Sequence, residues 1–253
     1  MASDCLLVDL GNSRLKWAVL EADQTNSPGP VQAFSHRDLN LVALLQQHWQ
    51  GLRPGRVMIC SVAGAERDQQ LRQWIKQAWG ISPFFFTSTQ PYPGMRNGYA
   101  QPERLGNDRW LGCIAAHQHC QGPVALVDAG TAITLDLVDA QGQHQGGWII
   151  PGLASMGRCL LQNTAIPPTA FIGSRLEPGT DTANAIGQGA LLACLGAIEL
   201  VAQRHAPGHS WLLTGGDAEQ IAPLLGFDHQ RIDHLLLQGL ALIAQQQGRG
   251  VGP

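Results

Sequence analysis

The sequence predicts an α/β chain built as two related halves, and two observations carry that prediction. First, CLLVDLGNSRLKWAVL (Cys5–Leu20) and VALVDAGTAITLDLV (Val124–Val138) follow one plan. Each runs through an apolar strand, an Asp, one spacer, a Gly, a small polar residue and a second apolar strand. Asp9 and Asp128 stand 119 positions apart, nearly half of the 253 residues, as a duplicated unit of about 120 residues requires. Second, each hairpin is followed by helical and strand patterns in alternation, which points to α/β layers. The halves are placed at 1–118 and 119–253.

In the first half, a helical stretch around Asn40 to Trp49 follows the hairpin. RVMICSV (Arg56–Val62) reads as a strand, and Ala65–Trp79 as a helix with Leu71, Trp74, Ile75 and Ala78 near helical spacing. SPFFF (Ser82–Phe86) is a further strand. TQPYPGMRNGYAQPERLG (Thr89–Gly106) is too rich in Pro and Gly for regular structure, and a loop of that length is usually functional or disordered. WLGCIAAH then continues a helix that opens near Asp108. The second half passes from its hairpin to GGWIIPG (Gly146–Gly152), a long helix from about Asp181 to Arg204, a strand SWLLTGG (Ser210–Gly216) and a helix from about Asp233 to Gln247. Asp181 and Thr182 are both candidate caps for the long helix.

Hydrophobic residues at 44% and charged residues at 14% suit a folded globular chain. Sixteen Lys+Arg against 19 Asp+Glu give net charge −3, without a basic stripe that would attract nucleic acid or anionic lipid. A small, diffusible partner is expected, and neither nucleic acid nor membrane. The N-terminus runs into a strand without a signal-peptide pattern, and no apolar run approaches the ~18 residues of a membrane span, so the expected location is cytoplasmic. Cys5, Cys60, Cys113, Cys120, Cys159 and Cys194 contain no C-x-x-C and read as reduced, mostly buried thiols. His117, His119 and Cys120 cluster locally, but their spacing fits no zinc template and a polar helix end accounts for them.

A carboxylate inside an apolar strand is costly unless it is paired, hydrogen-bonded or holding a cation. At a strand end, Asp-x-Gly offers a cation ligand beside a backbone that can approach a phosphate closely. Taken singly, D-x-G-N and D-x-G-T also read as ordinary hairpin turns, since Gly and Asn suit positive φ. Their recurrence at half-chain spacing favours a nucleotide-phosphate clamp. No G-x-x-x-x-G-K-[ST] occurs and no G-x-G-x-x-G follows a strand, so a P-loop is excluded and bound ATP needs another fold.

The paired hairpins, with GGWIIPG and LTGGD (Leu213–Asp217), resemble the phosphate and adenosine motifs of the actin-like, Hsp70-like and sugar-kinase ATPase superfamily. That resemblance implies two duplicated ribonuclease-H-like (actin-like ATPase) domains with a cleft between them. NGYAQPERLGNDRWLG (Asn97–Gly112) is similar to the substrate signature of type III pantothenate kinases, a Tyr and a Pro upstream of Gly-x-Asp-Arg. The ordered set DxGN, GxDR, DAGTAxT, GGxIxPG and TGGDA spans essentially the whole chain and is far more specific than any one member. Ser13 stands where the family most often has Thr and keeps the hydroxyl. The resemblance implies ATP-dependent phosphorylation of pantothenate to 4′-phosphopantothenate, the first step of coenzyme A biosynthesis. It also implies Mg²⁺, a monovalent cation (K⁺ or NH₄⁺) and a homodimer.

Phosphoryl transfer needs positioning, charge stabilisation and an acceptor for the attacking hydroxyl's proton. Asp108 is the candidate base, at a helix start where the dipole favours its ionised form; the same position suits a plain N-cap. Arg109 suits a bidentate pair with the pantothenate carboxylate or, equally, a surface helix arginine. Tyr99, Gly106 and Asn107 belong to the expected pocket wall, with Tyr99 offering an apolar face and a hydroxyl. The resemblance assigns Asp9, Leu10, Gly11, Asn12, Ser13, Arg14, Leu15 and Lys16 to the first phosphate loop, with Asp9 near Mg²⁺ and the Gly11 and Asn12 backbone near phosphate oxygens. Lys16 in a strand is also an ordinary solvated side chain. Asp128 is carried over as the monovalent-cation ligand, Thr131 as an ATP contact and Thr182 as a substrate contact, the last also suiting a helix cap. Another small-molecule kinase of the superfamily and a non-catalytic nucleotide-binding regulator are the competing functions; intact Asp9, Asp108 and Asp128 argue against the regulator.

Overall fold

The computed structural model describes residues 4–22, 28–37, 39–167 and 175–249. The chain divides into two compact units, residues 1–92, 99–115 and 234–253 in the first and residues 93–98 and 116–233 in the second.

Strand β1 (Cys5–Leu10) is apolar at all positions but Asp9 and buried along its whole length, as a central strand must be. It pairs antiparallel with β2 (Arg14–Leu20), which pairs antiparallel with β3 (Gln32–Ser35). Helix α1 (Leu41–Trp49) is capped by Asn40, whose side chain accepts the Ala43 N–H at 3.2 Å. Then come β4 (Arg56–Ser61), α2 (Ala65–Trp79) and β5 (Phe84–Phe86). Gly80, at φ +71°, ends α2 in the left-handed conformation with its N–H on Lys76 O. The sheet order is β3-β2-β1-β4-β5, with β1, β4 and β5 parallel. Alternation sends Leu6, Val8 and Leu10 toward Leu41, Leu45 and Trp49 of α1 and Leu71 and Ile75 of α2. Each such fully buried side chain contributes about 1.5–3 kcal/mol. Helix α3 (Asn107–His119) begins after a loop whose only helical turn is a 3-10 turn at Pro102–Arg104. The last helix, α7 (Leu235–Arg249), packs on β1 and β4 and carries Gly239 against Leu111 of α3; a Cβ at Gly239 would stand 2.9 Å from Leu111 Cγ.

The second unit repeats the plan. Strands β6 (Val124–Ala129), β7 (Ala132–Val138) and β8 (His144–Pro151) form an antiparallel run, followed by helices α4 (Leu153–Asn163) and α5 (Thr182–Arg204). Strand β9 (Ser210–Thr214) pairs parallel with β6, and after the short α6 (Ala218–Ile221), β10 (Gln230–Arg231) pairs parallel with β9. The order β8-β7-β6-β9-β10 matches β3-β2-β1-β4-β5 strand for strand, so the hairpin repeat read in the sequence is a duplicated sheet. Ala125, Val127 and Ala129 meet Leu191, Cys194, Leu195, Ile198 and Val201 of α5.

Among the described residues α5 is the one helix long and apolar enough to cross a membrane, with a window of mean hydropathy 1.8. Asn184, Gln188 and Glu199 interrupt it, so it holds no continuous apolar run of that length. One face of the helix is packed into the core instead. All six cysteines are free, four of them buried, with Cys120 half-buried and Cys159 exposed. His117, His119 and Cys120 end α3 without bringing ligand atoms together at metal-binding distances.

Candidate active site

In the first unit the turn after β1 is closed by the Gly11 N–H, which donates to Arg14 O at 3.0 Å. Asp9 lies directly across from Lys16 in the β1–β2 register, with Lys16 Nζ 3.7 Å from Asp9 Oδ2. The residue is only 7% exposed. Burial pushes the Asp9 carboxyl up from 3.8 to about 6; Lys16 pulls it down, and the charge of Asp108 pushes it up. Two carboxylates that repel one another, one of them buried, form a donor set that a hard cation would relieve.

Helix α3 holds the second carboxylate. Gly106 precedes the helix and its carbonyl accepts the Trp110 N–H at 3.0 Å, so Asp108 lies within the first turn and not at the cap. Asp108 Oδ1 accepts the Arg109 N–H at 2.7 Å, and a Cβ at Gly106 would stand 2.6 Å from that oxygen. Gly106 therefore leaves room for the Asp108 carboxylate. Arg109 is 6% exposed, which removes the surface-arginine alternative. Its Nη1 donates to Tyr99 Oη at 2.7 Å, with the guanidinium carbon 5.7 Å from the Tyr99 ring centre. A buried guanidinium held by a phenol is pre-oriented for a planar anion.

In the second unit Asp128 occupies the penultimate position of β6, as Asp9 does in β1. It faces Thr134 in the hairpin register and Thr214 on the parallel side. This turn is one residue shorter: Gly130 N–H donates to Ala132 O at 2.9 Å. Exposed Thr131 has its carbonyl anchored twice, by the Gly152 N–H at 3.0 Å and Ser155 Oγ at 2.7 Å. A Cβ at Gly152 would collide with Gly130 O and the Thr131 carbonyl group, so the last glycine of GGWIIPG allows that close approach. Gly215, at φ +98°, lies equally close to Ala129, and the Asp217 N–H donates to Ala129 O at 2.9 Å. Thr182 stands exposed in the first turn of α5; the cap is Asp181, whose Oδ1 accepts the Asn184 N–H at 2.9 Å and whose carboxyl is lowered by that bond.

Comparison with known proteins places these motifs in one family. Residues 5–204 match the family model described as type III pantothenate kinase. The chain belongs to the type III pantothenate kinases. It is 37% identical to the type III pantothenate kinase of Nitrosococcus oceani, covering 96% of this chain and 95% of that one. It is 38% identical to that of Herminiimonas arsenicoxydans, covering 94% and 96%. Among solved structures, a Campylobacter jejuni protein provisionally named a Baf family transcriptional activator superposes with TM-score 0.60 at 20% identity, covering 96% of this chain and 99% of the other. An archaeal actin homologue gives TM-score 0.53 at 10% identity, covering 97% and 100%. These likenesses establish the actin-like ATPase fold.

Within the first unit of this kinase, Asp9 and Asp108 come within electrostatic reach, and Tyr99 and Arg109 touch. Asn12 and Arg14 are exposed, and Gly11, Ser13 and Lys16 half-exposed. Leu10 and Leu15, carried over with the loop, are fully buried core side chains that leave only their backbone for a ligand. Of the two backbone donors expected at phosphate, the Gly11 N–H is already committed to Arg14 O. Asn107 does more than space the GxDR motif: Oδ1 accepts the Ser88 N–H at 2.9 Å and Nδ2 donates to Ser61 O at 3.1 Å, tying α3 to the end of β4. His36 and Ser155, each bonded to a turn carbonyl, had no signal in the sequence because their partners are more than 20 residues away.

Proposed function

We infer that this chain transfers the γ-phosphoryl group of ATP to pantothenate, giving 4′-phosphopantothenate for coenzyme A biosynthesis, as its family does. The observation that carries the assignment of roles is the α3 start, where a carboxylate cleared by Gly106 and a buried, phenol-held guanidinium stand on adjacent residues. Asp108 accepts the proton of the attacking hydroxyl. Arg109, steadied by Tyr99, pairs with the pantothenate carboxylate and so orients the hydroxyl for attack. The first hairpin takes the phosphates, with Lys16 and the Asn12 backbone as donors.

Asp9 would hold Mg²⁺; its buried carboxyl and the neighbouring like charge of Asp108 fit a hard divalent cation. Mg²⁺, when bound, neutralises charge on the transferring phosphates. In the second unit Thr131 contacts ATP and Asp128 would hold K⁺ or NH₄⁺, while Thr182 offers its hydroxyl to the substrate. The active form is a cytoplasmic homodimer. Support for the dimer comes from α5, whose outward side carries Ala185, Gly189, Leu192, Gly196 and Leu200; Leu192 is 60% exposed, and Ile149 of β8 is 61% exposed.

The assay is incubation of the purified protein with ATP, Mg²⁺, K⁺ and pantothenate, with 4′-phosphopantothenate detected by mass. Preferential transfer to a sugar or acyl acceptor would redirect the assignment to another kinase of the superfamily.

A further inference from the structure

His36 follows β3 and is 2% exposed. Its Nε2 lies 2.8 Å from the carbonyl oxygen of Gly11. A carbonyl only accepts, so Nε2 carries the proton and donates. The His36 N–H donates to Ser13 O at 3.1 Å, and Ser35 Oγ donates to the same oxygen at 3.2 Å. The end of β3 thus grips the first hairpin turn from behind at two carbonyls. In a planar trans peptide the C=O and the next N–H point in opposite directions. With the Gly11 carbonyl tied to a buried imidazole, the Asn12 N–H is turned the other way, at an exposed residue. The Gly11 N–H is already spent inside the turn, which leaves the Asn12 N–H as the donor whose direction matters. In the second hairpin a side chain also holds a turn carbonyl, Ser155 Oγ on Thr131 O, but one peptide further along.

We propose that His36 is a positioning residue for phosphate binding: its Nε2–H fixes the Gly11–Asn12 peptide so that the Asn12 N–H is aimed at the nucleotide phosphates. This rests on the first hairpin being the phosphate loop. A purely structural histidine would affect stability and leave the ATP and pantothenate constants unchanged relative to one another. His36→Met fills the space without a donor, and His36→Gln places an amide donor near the Nε2 position.

The experiment is steady-state kinetics on the full chain, varying ATP and pantothenate separately, with melting temperatures recorded for each variant. His36→Met is expected to raise KM for ATP roughly five- to tenfold, the scale of one hydrogen bond, with KM for pantothenate within about twofold. His36→Gln is expected to bring KM for ATP back to within about threefold of wild type. An unchanged KM for ATP in folded His36→Met, or equal damage in His36→Met and His36→Gln, overturns the proposal. Should His36→Met not fold, His36→Ala against His36→Gln gives the same comparison. Lys16→Ala in parallel separates the two assignments. A rise in KM for ATP there but not in His36→Met refutes the positioning role alone, and no rise in either refutes the phosphate hairpin and the positioning role with it.

Discussion

Asp9→Asn should abolish turnover and yet stabilise the metal-free, nucleotide-free protein, increasingly so as pH rises. The carboxyl is raised by burial from 3.8 to about 6. At about 1.4 kcal/mol per pH unit, ionising it in the folded state costs roughly 3 kcal/mol. The native state keeps this proton up to about pH 6, whereas the unfolded chain releases it near 3.8. Native protein therefore binds more protons in that window, and stability falls as pH rises through it. An asparagine is neutral throughout, so the variant's advantage should be about half-developed at pH 5 and complete by pH 8. Lys16, part-exposed at its head, stays hydrated without its partner. For a chain of this size the gain corresponds to a melting-temperature rise of about 5–10 °C at pH 8. The assay is thermal unfolding in EDTA without nucleotide, from pH 5 to pH 8, on both proteins. A variant destabilised by the same amount at every pH would refute the reasoning, since it would show that Asp9 is a net stabilising group.

Asp108→Asn should lower kcat by roughly 10²–10⁴-fold with unchanged melting temperature, because the residue lies inside the first turn of α3 and does not cap it; lost stability with near-normal turnover would reject the base. Arg109→Ala should lower kcat/KM for pantothenate by roughly 10- to 100-fold and erase discrimination against the uncharged amide, and equal use of acid and amide by wild type would exclude the carboxylate pair. Asp128→Ala should remove activation by K⁺ while leaving the Mg²⁺ requirement, so full wild-type activity in choline buffer contradicts the cation site. Leu192→Glu places a charge on the apolar outward face of α5 and should shift sedimentation from dimer to monomer; an unchanged dimer moves the interface elsewhere.

Local chemistry made much of the fold legible in advance. Ala65–Trp79 shows a 3.6-residue apolar period and ends at Gly80, and it is a helix over those residues. The Asp-x-Gly hairpins and their spacing announced a duplicated sheet, because turn type and strand alternation are written within a few residues of one another. The candidate site was found at the level of motifs for the same reason, since Gly106-Asn107-Asp108-Arg109 is contiguous.

What the sequence by itself determined was therefore the two hairpins and their repetition, the longer helices and the family; β3, α4, α6 and β10, being short, carry no sequence pattern strong enough to read. Tertiary structure alone decided the roles that depend on distant partners. It buried Arg109 against Tyr99, gave Asn107 its two backbone partners on β4 and after β5, and set His36 behind Gly11. It also placed α7, the last helix of the chain, on the first unit's sheet. The physical reason is range: propensity and turn geometry act over a few residues, whereas burial and the direction of a peptide group are fixed only when strands far apart in sequence close into one sheet.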